Sequence, residues 1–423
     1  MKIKQCDKIF SYVLLLFPIL HQYSVGVKGI TLGEIILLGA SFLCFINGKN
    51  KIRKEVIPFT LFTIFTFVLS TISLIYQDMM AVGVITRMIR YAIYFLVIIL
   101  FYTDFKIGYV YKVYTMISMS IATYMVLQTL VYNATHIILT NKILPLPWYA
   151  AAPGLAEMAE GYEIFAFQPR GIFTEQGFAA HYLLPCLTLL LYGKKEKNNV
   201  ERWIKIGVIL IALFLSRSGQ GIMILFVIAG WFFVRGVFNL NVKQKRIGFF
   251  MIMPVVAAFI IFMNTSVGQF MIEKIFGRFF SGGSTSMRLA RGYAVYFELP
   301  PLMKLIGVGA GNLDEYVFQN GITTIFDPKN MTSAAAGYVN GLSSVFLNGG
   351  FIGGILFLFT LGILFKTAKA EYRMCVVLYF IFSLVEGTVF VTFIIFYMMI
   401  IFSGIQEQKY LSKEVEEIGD KGG

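Results

Sequence analysis

The sequence predicts an all-α polytopic membrane protein of about twelve transmembrane helices with two large non-cytoplasmic loops. Two observations carry this prediction. The 423 residues are 57% hydrophobic and only 14% charged, and their mean hydropathy is +0.74. The apolar residues are also collected in runs of about 20, the length needed to cross the hydrocarbon core of a bilayer. This composition argues against a water-soluble fold.

The apolar runs fall into three groups along the chain. Residues 1–132 hold predicted helices one to five, 177–264 hold six to nine, and 338–404 hold ten to twelve. The separate runs are 9–25, 30–48, 56–76, 84–103, 109–132, 177–192, 203–216, 219–238, 247–264 and 338–365. The stretch 374–404 is long enough for two short or tilted helices, and we expect the turn between them near Glu386-Gly387.

The distribution of lysine sets the predicted topology. With the N-terminus in the cytoplasm, lysine-rich turns such as 49–54 and 194–197 all face the cytoplasm, as the positive-inside rule requires. An even number of spans brings residues 405–423 to the same side, where their mixed charges predict a solvated, disordered tail. Topology therefore accounts for the net charge of +13 without a nucleic-acid partner.

The sequence predicts no metal or cofactor site. The four cysteines show no Cys-x-x-Cys spacing, and the three histidines are scattered along the chain. The glycine-rich segment Gly307-Val308-Gly309 lacks the strand–turn–helix context of a dinucleotide fold.

Two predicted outer segments, 133–176 and 265–337, are too long to be simple connections. We expect the first to form a partly helical cap on the membrane surface. The cations of the outer side are mainly arginines, whereas the inner turns carry mostly lysine. A guanidinium group is planar, always charged and able to hold two phosphate oxygens, so the pattern indicates a diphosphate site. The alternative is that each arginine pairs with a local carboxylate or reaches a lipid headgroup. These outer arginines are Arg170, Arg217, Arg278, Arg288 and Arg291.

Arg170 and Glu175 lie directly before the sixth predicted span, after a bend set by Pro169 and Gly171. Glu175 is a candidate general base for a sugar hydroxyl, or it is the ion-pair partner that orients Arg170. His181 follows about two turns into the same helix. It is a candidate proton relay, or it makes a structural hydrogen bond within the bundle.

Arg217 lies in the tight turn between the seventh and eighth spans, where it either points into a cavity or caps the helix ends. Arg288 and Arg291 are three residues apart and share a face if the segment is helical. Arg87 and Arg90 are one turn apart near the start of the fourth span. They either reach the same cavity or act as interfacial anchors.

These motifs resemble the Wzy-type O-antigen and capsular polysaccharide polymerases and the related O-antigen ligases. The segment Arg170-Gly171-Ile172-Phe173-Thr174-Glu175 is similar to the Arg, Gly, Phe and Glu signature that follows the first large loop of this family. Three further segments are similar to family features in layout: the Ser216-Arg217 turn, the second loop with Arg288, Arg291 and Gly307-Val308-Gly309, and Val339-Asn340-Gly341 before a late long helix.

The resemblance implies a metal-independent, GT-C-like glycosyltransferase without a cofactor, in the bacterial cytoplasmic (inner) membrane with both termini in the cytoplasm. Its donor would be a glycan on undecaprenyl diphosphate, and its acceptor another lipid-linked repeat unit. Membrane lipid, a chain-length regulator and a flippase of the same pathway are implied partners. The clamp on the diphosphate would comprise Arg170, Arg217, Arg278, Arg288 and Arg291, with Glu175 acting on the acceptor hydroxyl and Asn340, Arg87 and Arg90 as further candidates.

Two alternatives stay open. A flippase or transporter of lipid-linked sugars predicts charged residues along the middle of several spans, and here Glu34 and Glu386 are the principal examples. An O-antigen ligase resembles the chain as well. However, ligase-like members commonly have a histidine where this sequence has Val339, which argues against a ligase that uses that base.

Overall fold

The structure is a computed structural model. It describes residues 4–26, 29–47, 53–78, 81–149, 167–193, 198–216, 287–327, 336–368 and 370–421, together with residues 218, 221, 225, 228 and 230. Within these residues the secondary structure is helical, and the only extended pairing consists of isolated bridges. The fold class predicted from composition is therefore confirmed as all-α.

Seven helices of the described residues precede residue 216: α1 (Gln5–Leu20), α2 (Leu32–Asn47), α3 (Ile57–Tyr76), α4 (Val82–Phe101), α5 (Ile107–Thr135), α6 (Gln176–Tyr192) and α7 (Asn199–Leu215). A π-helical turn, Met287–Arg291, leads into three short helices: α8 (Gly292–Glu298), α9 (Pro301–Ile306) and α10 (Leu313–Gln319). The chain ends with α11 (Gly341–Thr367), α12 (Ala370–Val385) and α13 (Phe393–Lys421).

Four of these helices, α3, α4, α5 and α11, are long and apolar enough to cross a membrane, and α2 is a shorter apolar helix. Large apolar side chains on their surfaces are exposed, for example Phe42 at 63%, Ile75 at 64% and Phe359 at 58%. Because such surfaces are stable against lipid tails and costly in water, they indicate a membrane protein. The predicted runs 219–238 and 247–264 lie largely or wholly outside the described residues.

The predicted break near Glu386-Gly387 is confirmed, since α12 ends at Val385 and α13 begins at Phe393. The prediction of a disordered tail at 405–423 is wrong, because α13 continues as a helix to Lys421. Its last turns are rich in Glu, Lys and Gln, which are strong helix formers, and contain no proline. The buried first half of the helix supplies the nucleus from which those turns extend.

One end of the bundle, here called the loop end, is where α1, α3 and α5 finish and α2, α4, α6 and α11 begin. Residues 136–149 and 167–175 of the predicted first loop lie there and are not helical, so the expected helical cap is absent from the described part of that loop. The segment is held by Tyr23, whose ring stacks on Trp148 with centroids 4.8 Å apart. The hydroxyl of Tyr23 accepts the backbone N–H of Ile143 at 3.0 Å.

The second loop packs against the bundle through a glycine-mediated close approach. Gly307 has φ +84°, and a Cβ there would lie 2.4 Å from the carbonyl carbon of Asn348. Gly350, inside α11, has φ 65° and ψ −167°, a region open only to glycine. A Cβ on Gly350 would lie 2.2 Å from the carbonyl oxygen of Leu305. Side chains at these two positions would therefore push α9 away from α11.

We expect Gly350→Ala to destabilise the protein by at least about 1–3 kcal/mol, the cost of this backbone region for a residue with a side chain. Gly362→Ala is the matched control, because Gly362 lies in the same helix and a Cβ added there would meet no other atom within 4 Å. Thermal melting of the two purified variants in detergent measures the difference. Equal melting temperatures would contradict the proposed close approach.

Candidate functional site

Arg170 is held at the loop end by a turn that presses against α5. Gly171 has φ +62°, and a Cβ there would lie 3.0 Å from Cγ2 of Ile121. The amide of Gln128 bonds both backbone groups of Gly171, accepting from its N–H at 2.9 Å and donating to its carbonyl at 3.0 Å. Arg170 itself is only 8% exposed and donates from Nη1 to the carbonyl of Thr174. The bend predicted from Pro169 and Gly171 thus fixes the position of the guanidinium group.

Glu175 immediately precedes α6 and is partly buried. It forms no ion pair with Arg170 among the described contacts, so the structure does not support the interpretation of Glu175 as the partner that orients Arg170. His181 is fully buried within α6, where its ring stacks on Phe382 at 3.8 Å and on Phe393 at 4.5 Å. This aromatic enclosure favours a structural role for His181 over a proton relay.

Gln22 joins the two described parts of the first loop. Its side-chain oxygen accepts the N–H of Thr174 at 2.6 Å, and its carbonyl accepts the N–H of Tyr149 at 2.7 Å. Because Gln22 follows the end of α1 directly, these bonds place Tyr149 and the Arg170–Thr174 turn on the same side of the bundle.

Arg90 of α4 forms an ion pair with Glu34 of α2, with 3.1 Å between Nε and Oε1. The hydroxyl of Tyr94 donates to the same carboxylate oxygen. Arg90 also donates from Nη1 to the hydroxyl of Tyr149 at 3.3 Å. Glu34 is buried, and a buried carboxylate is stable only when it is paired and hydrogen-bonded. Arg90 therefore joins α2, α4 and the first loop.

The second oxygen of Glu34 belongs to a capping box at the start of α2. Oε2 accepts the N–H of Thr31 at 2.9 Å, and the hydroxyl of Thr31 accepts the N–H of Glu34 at 3.2 Å. His21 contacts the same hydroxyl, with 2.8 Å between Nδ1 and Oγ1. Burial lowers the pKa of His21 to about 4; Glu34 opposes the shift and Arg90 adds to it. His21 is therefore neutral at neutral pH.

Arg87, one turn before Arg90, reaches the second loop. Its Nη1 lies 2.6 Å from Oδ2 of Asp314 on α10. Burial raises the pKa of the Asp314 carboxyl, and Arg87 opposes the shift. The buried Nε of Arg87 makes no hydrogen bond to any described residue. Arg87 thus combines one ion pair with one unused donor.

Arg291 is fully buried at the end of the π-helical turn. It forms an ion pair with Asp327 and donates from Nη1 to the carbonyl of Ala336 at 2.7 Å. Nearby, Asn340 caps α11 by accepting the N–H of Ser343 at 2.8 Å. These contacts fold the second loop onto the start of α11, so in this conformation Arg291 holds the loop in place.

Arg87 and Arg291 are connected through the second loop. A Cβ on Gly337 would lie 2.3 Å from Oδ1 of Asp314, the partner of Arg87. Gly337 itself stands between Ala336 and Tyr338, whose carbonyls both accept from Arg291. A polar layer therefore runs across the loop end, and we define it as His21, Gln22, Thr31, Glu34, Arg87, Arg90, Tyr149, Arg170, Arg291 and Asp314. Arg217, Arg278 and the side chain of Arg288 lie outside the described residues.

Sequence reasoning gives little weight to several residues of this layer. From the sequence, His21 is one scattered histidine, and Glu34 is only an unusual charge within a span. The spacing Thr31-x-x-Glu34 is nevertheless a capping-box signature that could have placed the start of α2. The partnership of Arg291 with Asp327 across 36 residues has no local sequence signal.

The described fold and site define a class: an all-helical membrane protein with a polar, arginine-bearing layer at one end of its bundle. No protein-family model matches the chain, and no curated protein has significant similarity to it.

We expect Arg90→Met to destabilise the protein by about 2–3 kcal/mol, because Glu34 would stay buried without its cation. The double variant with Glu34→Gln should recover part of this loss, since the uncompensated charge is then gone. Glu201→Gln, in the exposed pair with Lys205 on α7, should cause no measurable change. Unfolding of the purified variants in mixed micelles tests this, and equal stabilities of the Arg90 and Glu201 variants would contradict it.

Proposed function

We propose that this protein is a polymerase that joins oligosaccharide repeat units carried on undecaprenyl diphosphate into O-antigen or capsular glycan. In this proposal the chain has about twelve spans in a GT-C-like arrangement and lies in the bacterial cytoplasmic membrane. Both termini are cytoplasmic, so the loop end faces outward. A chain-length regulator and a flippase of the same pathway are its proposed partners.

The observation that supports this function is the gathering of Arg87, Arg90 and Arg170 into one polar layer. They come from two chain segments that are joined through Tyr149 and Gln22. Arginines fixed in this way fit a ligand with several phosphate oxygens. The unused Nε donor of Arg87 also suits an anionic oxygen, because a buried donor without an acceptor is costly.

The proposed reaction needs charge stabilisation at the leaving group. The acceptor hydroxyl attacks the anomeric carbon of the donor sugar, and the bond from that carbon to the diphosphate breaks with its electron pair on oxygen. Preorganised guanidinium groups stabilise the developing charge. Within the proposal, Arg170, Arg87 and Arg90 face the diphosphate, Arg217, Arg278 and Arg288 complete the clamp, and Arg291 positions the second loop.

A flippase is the second candidate, and the ion pair of Glu34 and Arg90 is the observation that favours it, because charged groups within spans mark transport pathways. Glu34 is the third residue of α2 and Arg90 lies in the third turn of α4, so both stand near the loop end. Transporters place such groups near the midplane. Movement of lipid-linked repeat units across vesicles containing the purified protein would favour the flippase.

A ligase is the third candidate. The residue before Asn340 is Val339, which packs with the apolar cluster of the second loop and offers no base. Supplying purified protein with lipid-linked single repeats alone separates the two enzymes. Elongation of the repeats supports a polymerase. No elongation, followed by transfer once a lipid A core is added, supports a ligase.

We expect Arg170→Ala to abolish long glycan chains in a strain that lacks the native gene, with Arg170→Lys intermediate because lysine cannot provide the fork of donors. Arg53→Ala is the control, since Arg53 lies at the opposite end of the bundle beside Tyr410. Glycan length on gels is compared at equal membrane levels of each variant. Normal chain lengths with Arg170→Ala would count decisively against a polymerase.

Arg87→Ala and Asp314→Asn form a second matched pair. If Arg87 binds the diphosphate, Arg87→Ala should shorten the glycan chains, whereas Asp314→Asn should keep them because the guanidinium group remains. Equal shortening in both variants would mean that Arg87 serves only to hold the second loop.

A further inference from the structure

We propose that His21 is the general base of this site, and that Thr31 and Glu34 are positioning residues that hold its ring. This inference rests on the proposed function and assigns to His21 the role that sequence reasoning assigns to Glu175. His21 lies at the end of α1, one residue before Gln22, which binds both described parts of the first loop. It therefore stands within the same polar layer as Arg90 and Arg170.

The hydrogen bonds around Thr31 determine which nitrogen of His21 carries the proton. The hydroxyl of Thr31 lies 3.1 Å from Oε2 of Glu34, a carboxylate oxygen that can only accept. The single hydroxyl proton is therefore directed at Glu34, and Oγ1 must accept from Nδ1 of His21. A neutral histidine protonated on Nδ1 has its lone pair on Nε2, the form that a general base requires.

The carboxylate that anchors this chain of contacts is itself held from several sides. Oε1 of Glu34 binds Arg90 and the hydroxyl of Tyr94, while Oε2 binds Thr31. The ring of His21 is flanked by Phe17 at 5.7 Å and by Tyr149 at 5.8 Å. The ring plane is thus fixed by packing and by one oriented hydrogen bond.

In the proposed step one proton and one glycosyl group are transferred. The acceptor hydroxyl gives its proton to Nε2 of His21, and its oxygen forms the new bond to the anomeric carbon of the donor. The bond from that carbon to the diphosphate oxygen breaks, and the electron pair stays on the diphosphate, which the arginines hold. The imidazolium then releases its proton to water.

The charges around His21 make its pKa depend on whether a diphosphate is bound. Among the described residues, the titratable or charged groups that face it are Glu34 on α2, Arg90 on α4 and Tyr149 in the first loop, and Tyr94 on α4 binds Glu34 beside them. A diphosphate bound at Arg90 would add negative charge near His21 and raise its pKa from the low value that burial imposes. The histidine becomes a stronger base only when substrate is bound.

The test uses the full-length protein in liposomes with polyprenyl-diphosphate-linked repeat units extracted from a strain in which this gene is deleted. We expect His21→Asn to lower kcat by about 10²–10⁴-fold while the affinity for the repeat units stays within a few-fold of the unsubstituted protein. The unsubstituted protein should show a rate that rises with pH as His21 loses its proton. His21→Asn should lack this rise. Thr31→Ser, which keeps the hydroxyl, should retain most of the rate that Thr31→Ala loses.

His136→Asn is the matched control, because His136 caps α5 and its backbone has φ 56°, which asparagine tolerates. It should leave the rate unchanged. A His21→Asn variant with a normal rate, or with a lower rate but an unchanged pH profile, would contradict the assignment of His21 as the general base. Failure of the unsubstituted protein to elongate the repeat units, or a normal rate for Arg170→Ala, overturns the proposed function instead and this inference with it.

Discussion

The structure depends on one constraint: a buried charge must be paired. The buried carboxylate of Glu34 is paired with Arg90, and the buried Arg291 is paired with Asp327. The pair of Arg87 and Asp314 is partly exposed and adds a third link, and in each case the two partners come from different elements. The partners are far apart in sequence, so each ion pair also selects which segments meet. Because an unpaired buried charge would cost several kcal/mol, these pairs restrict the loop end to few arrangements. The polar layer is thus built by the same contacts that the proposed chemistry uses.

Close backbone approach is what allows the second loop to reach those partners. Gly311 has φ +86°, and a Cβ there would lie 2.9 Å from Cβ of Arg87. Gly309 is similarly pressed against Leu74 of α3. With side chains at these positions α10 would stand off from α4, and Asp314 would lie beyond reach of Arg87. The glycine-rich segment that matched no dinucleotide fold therefore acts as a packing surface.

The sequence predicted the helices of the bundle well where hydropathy decides them. The starts and ends of α3, α4 and α11 lie within a few residues of the predicted runs, because the length of an apolar run is a local property. It could not predict the ion pairs, because residues such as Arg291 and Asp327 come together only when the second loop folds. The prediction for the tail was wrong because it gave mixed charge more weight than helix propensity. At the candidate site, residue type alone nominates Arg87, Arg90 and Arg170, whereas His21 and Thr31 become candidates only when α1 and α2 are placed side by side.

Cations at the two ends of the bundle make different kinds of contact. At the opposite end Lys409 pairs with Glu55 from a side chain that is 51% exposed, and a flexible ammonium group suffices in such a position. At the loop end, Arg90 holds a carboxylate and a phenol at once, and Arg291 holds a carboxylate and two carbonyls. A rigid group with several donors in one plane can hold several such partners together. The arginine donors of the polar layer are therefore held in position before any ligand binds. An anion can replace one of the weaker acceptors of these arginines without a rearrangement of the donors.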